Sequence, residues 1–137
     1  MSYREDWFYV EQLHRAAQVG NQAEVERLLN DGFDVNLFDD LCRTPLHYAV
    51  ESGHYATAEL LVSRGADVNA HDEEKIGETP LSFAVQGNCL EMVELLMTHG
   101  ANSKITGWMG TTAWSRAHGR GDDIGKQICA IIARYTA

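Results

Sequence analysis

The feature that most constrains the fold of this chain is an internal repeat. The segment TPLHYA begins at Thr44, and the similar segment TPLSFA begins at Thr79. A helix-like stretch that ends in glycine recurs in the same register, and Gly32, Gly65 and Gly100 are spaced by 33 and 35 residues. A unit of this length cannot bury its apolar face alone, so it must stack on its neighbours.

Weaker copies of the repeat flank the two clear ones. Leu13 and His14 precede Leu46 and His47 by 33 residues, and Thr112 follows Thr79 by the same interval. Terminal repeats are atypical because one of their faces meets water. The period predicts four repeats, at approximately 11–38, 39–71, 72–104 and 105–137. The preceding residues 1–10 contain Trp7, Phe8 and Val10, and we expect this extension to cover the first repeat as a lid.

These motifs resemble the ankyrin-repeat family, whose signature is a 33-residue period with the pattern T-P-L-H-x-A. The resemblance spans roughly residues 11–132 and is most specific in the second repeat, with TPLHYA followed by ELLVSRGADVNA. It implies an all-α fold, an ankyrin-repeat solenoid of helix-turn-helix units with protruding hairpin-like loops.

The residues themselves favour the same local structure. Thr44 is a suitable N-cap, and Pro45 suits the first helical position, where its missing N–H costs nothing. Gly53 is expected to end that helix with a positive φ angle. Asn88 occupies the equivalent place in the third repeat, where asparagine is the usual second choice for this conformation.

Two histidines near this motif, His47 and His54, raise the question of a metal or catalytic site. In the third repeat Ser82 replaces His47 and Cys89 replaces His54, which a ligand or a base would not tolerate. We therefore interpret both as structural, and the resemblance implies that His47 ties the loops together. The phosphate-binding, dinucleotide-binding and nucleophile-elbow motifs are absent from the sequence. We expect no enzymatic activity, no cofactor and no metal.

The charge balance limits the class of partner. The 20 acidic and 11 basic residues give a net charge of -9, which disfavours nucleic acid and would attract a basic protein. The same charge could instead serve solubility alone. Three cysteines without close spacing, and no apolar run or secretory leader, predict a cytoplasmic monomer that does not enter a membrane.

The resemblance also implies where a partner would bind, namely at the loop tips and on the exposed face of the first helix of each repeat. The acidic tips and the adjacent Trp108–Met109 pair are the most distinctive candidates, although Trp108 could alternatively fold back as a cap over the last repeat. The predicted partner-binding residues are Asp39, Asp40, Leu41, Arg43, Tyr48, Glu51, Ser52, Asp72, Glu73, Glu74, Lys75, Ile76, Glu78, Phe83, Gln86, Trp108, Met109, Arg116 and Arg120.

The resulting functional hypothesis is a small, stand-alone adaptor or inhibitor that binds another protein through a concave helical face and the loop tips. An alternative within the same class is an immunity or antitoxin protein that neutralises a basic toxin. An enzyme with an unrecognised site is a more distant alternative.

Overall fold

The computed structural model describes residues 11–74 and 77–136, so the predicted lid at residues 1–10 lies outside the described part. The chain forms two compact units, which join in sequence at Asp67 and Val68. The first unit contains helices α1 (Gln12–Val19), α2 (Gln22–Asn30), α3 (Pro45–Glu51) and α4 (Tyr55–Ser63). The second contains α5 (Pro80–Ala84), α6 (Leu90–Thr98), a short 3₁₀ turn (Trp108–Gly110), α7 (Ala113–Gly119) and α8 (Asp123–Thr136). Because no described residue lies in a strand, the prediction of an all-α fold is confirmed.

In the first unit, two helix pairs stack in parallel register. Helix α1 packs on α3, and α2 packs on α4, while each helix also contacts its partner within the pair. Ala16 and Ala49, one period apart, are buried where α1 and α3 approach. The core of the unit is filled by leucines from all of these helices, Leu13, Leu28, Leu46 and Leu61.

In the second unit, the same arrangement recurs with a longer final helix. Helix α8 packs on α6 and α7, and α5 contacts both α6 and α7. Ile128 and Ile132 of α8 are buried and close the core of this unit. Trp114 of α7 remains 37% exposed, and its ring stacks on that of His118 at a centroid distance of 6.0 Å.

The first helix of each later repeat begins as the sequence predicts. Pro45 and Pro80 occupy the first positions of α3 and α5, after a buried threonine. The hydroxyl of Thr112 accepts a hydrogen bond from the Ser115 N–H at 3.1 Å, and the Ser115 hydroxyl oxygen accepts one from the Thr112 N–H at 2.8 Å. This capping box replaces the proline in the last repeat and starts α7 at the equivalent residue.

The ends of these helices follow the prediction in the second repeat but not in the third. Gly53 has φ 76°, as expected for a glycine after α3. The expectation for Asn88 is wrong, because among described non-glycine residues only Cys42 and Met109 have positive φ. Helix α5 ends early, at Ala84, and an arginine holds the following turn instead. The Arg120 guanidinium donates to the carbonyls of Val85 and Gly87, at 3.1 and 2.5 Å, and to the Asn88 side-chain oxygen at 2.9 Å.

Equivalent asparagines connect successive repeats within each unit. The Asn36 amide nitrogen donates to the Gly65 carbonyl at 3.1 Å, and the Asn36 side-chain oxygen accepts from the Asp67 N–H at 2.7 Å. Asn69 makes the same two bonds, to the Gly100 carbonyl at 3.0 Å and from the Asn102 N–H at 2.7 Å. We call this pair of bonds the asparagine clamp, and it satisfies the backbone at the end of α4 and of α6.

The histidines of the first unit are parts of the scaffold, as the sequence predicts. His47 is fully buried, and its Nδ1 accepts from the Thr44 N–H at 3.0 Å. His14, one period earlier, donates from Nε2 to the Leu37 carbonyl at 2.7 Å and so ties a loop to α1. His54 donates to the Gln18 carbonyl at 3.1 Å. Each side chain thus satisfies a backbone group near a turn.

Candidate functional site: the three fingers

The loops that precede α3, α5 and α7 carry the predicted tips, and we call them the first finger (38–43), the second finger (71–78) and the third finger (104–111). The first and third close in the same way. The Asp39 N–H donates to the Arg43 carbonyl at 2.9 Å, and the Gly107 N–H donates to the Thr111 carbonyl at 2.7 Å. In the second finger the Gly77 N–H donates to the Asp72 carbonyl at 2.8 Å, and Lys75 and Ile76 between them lie outside the described residues.

A carboxylate braces the first finger from within. One oxygen of Asp39 accepts from the N–H groups of Leu41 and Arg43, both at 3.0 Å. The other oxygen accepts a short hydrogen bond from the Tyr48 hydroxyl, which comes from α3. Burial, followed by this hydrogen bond to Asp39, raises the pKa of Tyr48 above its usual range. Asp39 and Tyr48 therefore shape the finger from inside.

Arg43 makes further contacts between the first finger and α3. Its guanidinium donates to Glu51 at 3.0 Å and lies 5.5 Å from the centroid of the Tyr48 ring. The predicted contact residue Arg43 is thus held against α3, whose last residue is its partner Glu51. Ser52, next to Glu51, is exposed at the end of that helix.

The residues that project from the first finger are of a different kind. Leu41 is 70% exposed, and Asp40 beside it is also exposed. Cys42 has φ 61°, an uncommon conformation for a residue with a side chain, and it reverses the chain directly after Leu41. The finger therefore presents one large apolar side chain and one acidic residue at its tip.

Among the described large apolar side chains of the second unit, Met109 and Trp108 of the third finger have the highest exposed fractions. Trp108 is 51% exposed and Met109 is 82% exposed, and Met109 has φ 57°. The Trp108 carbonyl accepts from the Thr111 N–H at 3.2 Å and from the Thr111 hydroxyl at 2.7 Å, which closes the tip. This exposure favours a tip position for Trp108 over the alternative of a cap.

A carboxylate also braces the third finger, but it comes from the second finger. One oxygen of Glu78 accepts from the Trp108 N–H at 3.1 Å and from the Arg116 guanidinium at 2.7 Å. The Glu78 side chain is only 15% exposed, whereas the Arg116 side chain is 29% exposed. Glu78 and Arg116, both predicted as contact residues, are therefore engaged inside the second unit.

The tip of the second finger is acidic. The Glu73 side chain is 86% exposed, and Glu74 is exposed beside it. Asp72 lies partly inside the turn, where its carboxylate accepts from the Glu74 N–H at 2.9 Å and its carbonyl accepts from the Gly77 N–H at 2.8 Å. Of the acidic residues predicted on this finger, Glu73 and Glu74 therefore project furthest.

The remaining predicted contact residues lie on the first helices of the later repeats or directly after them. Gln86 is exposed, and its amide nitrogen donates to the Ser82 carbonyl at 2.9 Å. Phe83 is half-buried on α5. Arg120 holds the turn after α5, as described above, and its side chain is 18% exposed. These positions stay predictions as contact residues.

Two properties of the described residues bear on the class of site. Within residues 11–74 and 77–136, no three histidine, cysteine, aspartate or glutamate side chains gather in a way that could hold a metal ion. In that same part of the chain, no helix combines the length and apolar character needed to cross a bilayer.

Comparison with known proteins identifies the family. A model described as ankyrin repeats (3 copies) matches residues 8–72, and a second, described as ankyrin repeats (many copies), matches residues 61–113. No curated protein matches the sequence. The matched segments include the T-P-L motifs at Thr44 and Thr79 and the stacked helix pairs that follow them. The chain therefore belongs to the ankyrin-repeat family.

Proposed function

We propose that this protein is an adaptor or inhibitor that binds a partner protein through its fingers and the exposed ends of its first helices. An ankyrin-repeat domain is a protein-interaction module. The finer proposal rests on the exposure of Trp108 and Met109 at the tip of a hairpin whose Trp108 N–H donates a hydrogen bond to the Glu78 carboxylate. Large apolar side chains on a rigid support are typical of binding hot spots, because little conformational entropy is lost when they are buried.

The charge of the second finger indicates the chemistry of the partner. Glu73 and Glu74 are exposed, and Glu78 at the base of the same finger contacts the third finger through the Trp108 N–H. A surface that combines carboxylates with an apolar tip fits a partner whose apolar pocket is bordered by lysine or arginine. Rim charges of this kind mainly accelerate association.

The proposal is tested by affinity capture from native lysate with quantitative mass spectrometry. The wild type should retain a stoichiometric partner, which the double variant Trp108→Ala/Met109→Ala should lose by about tenfold or more, since hot-spot truncation costs about 2 kcal/mol or more. A matched control is Glu26→Gln, an exposed position on α2 and not part of any finger loop. Equal capture by the wild type and the double variant would refute the role of the third finger.

The acidic tip has its own test once a partner is purified. In Glu73→Gln/Glu74→Gln the association rate should fall and lose salt dependence, while the dissociation rate should stay nearly constant, because steering acts before contact. Glu26→Gln/Glu59→Gln, with two exposed glutamates on α2 and α4, is the control of equal charge. Unchanged association at low salt in the tip variant would leave solubility as the role of these carboxylates.

An immunity or antitoxin protein is the second candidate, and the exposed Glu73 and Glu74 together with the net charge of -9 favour it. A basic toxin would be attracted by this surface and blocked by the bound fingers. This version requires that the captured partner be basic and that its activity disappear when the complex forms. An adaptor would leave the activity of its partner intact.

We place the protein in the cytoplasm, where it acts as a monomer. Cys89 and Cys129 are free thiols, which suits a reducing compartment. Sedimentation of the purified protein and fractionation of cells that produce it would test the two parts of this placement separately.

A further inference from the structure

Corresponding positions of the first and third fingers differ in sequence although the two hairpins close alike. Asp39 and Gly107 are equivalent, 68 residues apart, and each donates its N–H across its hairpin. In the first finger the Asp39 carboxylate also accepts from backbone N–H groups of the loop, at 3.0 Å. Gly107 has no side chain to do this, so the third finger needs another acceptor.

Glu78 supplies the missing carboxylate. A Cβ atom built on Gly107 would lie 2.6 Å from one Glu78 carboxylate oxygen and 3.0 Å from the other. The Glu78 carboxylate therefore occupies the space that a side chain at position 107 would need. From there it accepts the Trp108 N–H at 3.1 Å. Glycine leaves room for this close approach, which a Cβ atom would force the Glu78 side chain to give up. The backbone itself does not call for glycine here, since φ is -110°.

The helix partner of each carboxylate is also equivalent. Tyr48 lies four residues after the cap threonine Thr44, and Arg116 lies four residues after Thr112. Tyr48 donates its hydroxyl to Asp39, and Arg116 donates its guanidinium to Glu78 at 2.7 Å. The same helical position thus holds the bracing carboxylate in both fingers, with a hydroxyl in one and a cation in the other.

We propose that Glu78 and Arg116 are positioning residues that hold the Trp108–Met109 tip in its binding shape, in the role that Asp39 and Tyr48 fill in the first finger. The inference rests on the proposed function in so far as this tip binds a partner. Because both side chains are mostly covered, they act through the tip and not by contact with the partner. Without the brace, the tip loses the hydrogen bond at Trp108 and must be ordered again when it binds.

The test uses the isolated protein, so its outcome does not depend on whether a partner exists. Hydrogen exchange of the Trp108 amide, followed by nuclear magnetic resonance, reports directly on the bond to Glu78. Protection should fall about tenfold or more in Glu78→Ala, because a hydrogen bond to a charged group is lost. The protection of the Trp108 amide in Glu78→Gln should lie between that of Glu78→Ala and that of the wild type, since the glutamine side-chain oxygen can still accept the hydrogen bond. Amides of the core residues Leu96 and Ile132 should change much less.

A double-variant cycle gives the sharper result. Gly107→Asp alone should also lower the protection of the Trp108 amide. Its Cβ atom would meet the Glu78 carboxylate, and its own carboxylate would add a like charge beside it. In Glu78→Ala/Gly107→Asp the space is vacant, and the new aspartate can accept from the Met109 and Thr111 N–H groups, the counterparts of the Leu41 and Arg43 groups that bond Asp39. We expect the Met109 amide of this double variant to exchange more slowly than the Met109 amide of Glu78→Ala, while the Trp108 amide keeps the fast exchange of Glu78→Ala. Gly119→Ala, whose Cβ atom would meet nothing within 4 Å, is the glycine control.

Two results would overturn the inference. One is wild-type protection of the Trp108 amide in Glu78→Ala, and the other is a Met109 amide that exchanges as fast in the double variant as in Glu78→Ala. If Glu78→Ala fails to fold, Glu78→Gln and Arg116→Lys decide the question, because both keep a polar group of similar size. Both must then show faster Trp108 exchange than the wild type with unchanged core amides, and wild-type exchange in both would refute the brace.

Discussion

The asparagine clamp offers the most direct test of how the repeats are held together. Asn36→Ala removes two hydrogen bonds, one to the Gly65 carbonyl and one from the Asp67 N–H, and Asn69→Ala removes the equivalent pair. Each bond contributes about 0.5–1.5 kcal/mol, so each variant should lose about 2 kcal/mol in free energy of unfolding. The released backbone groups belong to the exposed residues Gly65, Asp67, Gly100 and Asn102, so water can reach them and no further penalty for unsatisfied buried groups is added.

This loss converts into a measurable melting shift. For a chain of 137 residues, the entropy of unfolding is about 0.3 kcal/mol/K. A loss of about 2 kcal/mol then lowers the melting temperature by about 7 °C. Circular dichroism at 222 nm would follow the transition, with Gln127→Ala on the exposed face of α8 as the surface control. Melting of both clamp variants within about 1 °C of the wild type would show that the clamp contributes nothing.

Three further predictions concern the scaffold. His47→Ala should lower the free energy of unfolding by about 2 kcal/mol, because it removes a buried acceptor of the Thr44 N–H and leaves a cavity, and urea titration measures the loss. Gly65→Val should cost more than about 1 kcal/mol in the same titration, since φ is 97° there; an unchanged midpoint would mean that the assigned register is wrong. The raised pKa of Tyr48 means that its contribution to stability is complete below pH ~10, the ordinary tyrosine value, and is lost as the pH rises further. Tyr48→Phe should therefore lose less stability than the wild type above pH ~10, and parallel curves would contradict this.

The features that could be predicted from the sequence are those fixed by neighbouring residues. Thr44 and Pro45 start a helix through local capping, and Gly53 ends it through its own backbone freedom, so both are readable from a short segment. The early end of α5 could not be predicted from such a segment. The turn that follows is held by Arg120, which lies far along the chain and donates to the Val85 and Gly87 carbonyls.

The candidate site was predictable as a set of loops but not in its internal division of roles. Glu78 and Arg116 are charged residues in loop and inner-helix positions, so the register indicates solvent contact for both. Their burial follows from a contact across 38 residues, which no local pattern encodes. The one signal in the sequence was the glycine at position 107 where the first finger has Asp39. A missing side chain at an equivalent position indicates that another group fills its place.

Site-specific photo-crosslinking in native cells tests the binding role of the fingers most directly. A photoreactive amino acid at Met109, which is 82% exposed, should yield one discrete crosslinked protein. The same group at Glu26, exposed on α2, should yield no such product. A partner crosslinked from Glu26 with equal or greater efficiency than from Met109 would contradict binding through the third finger.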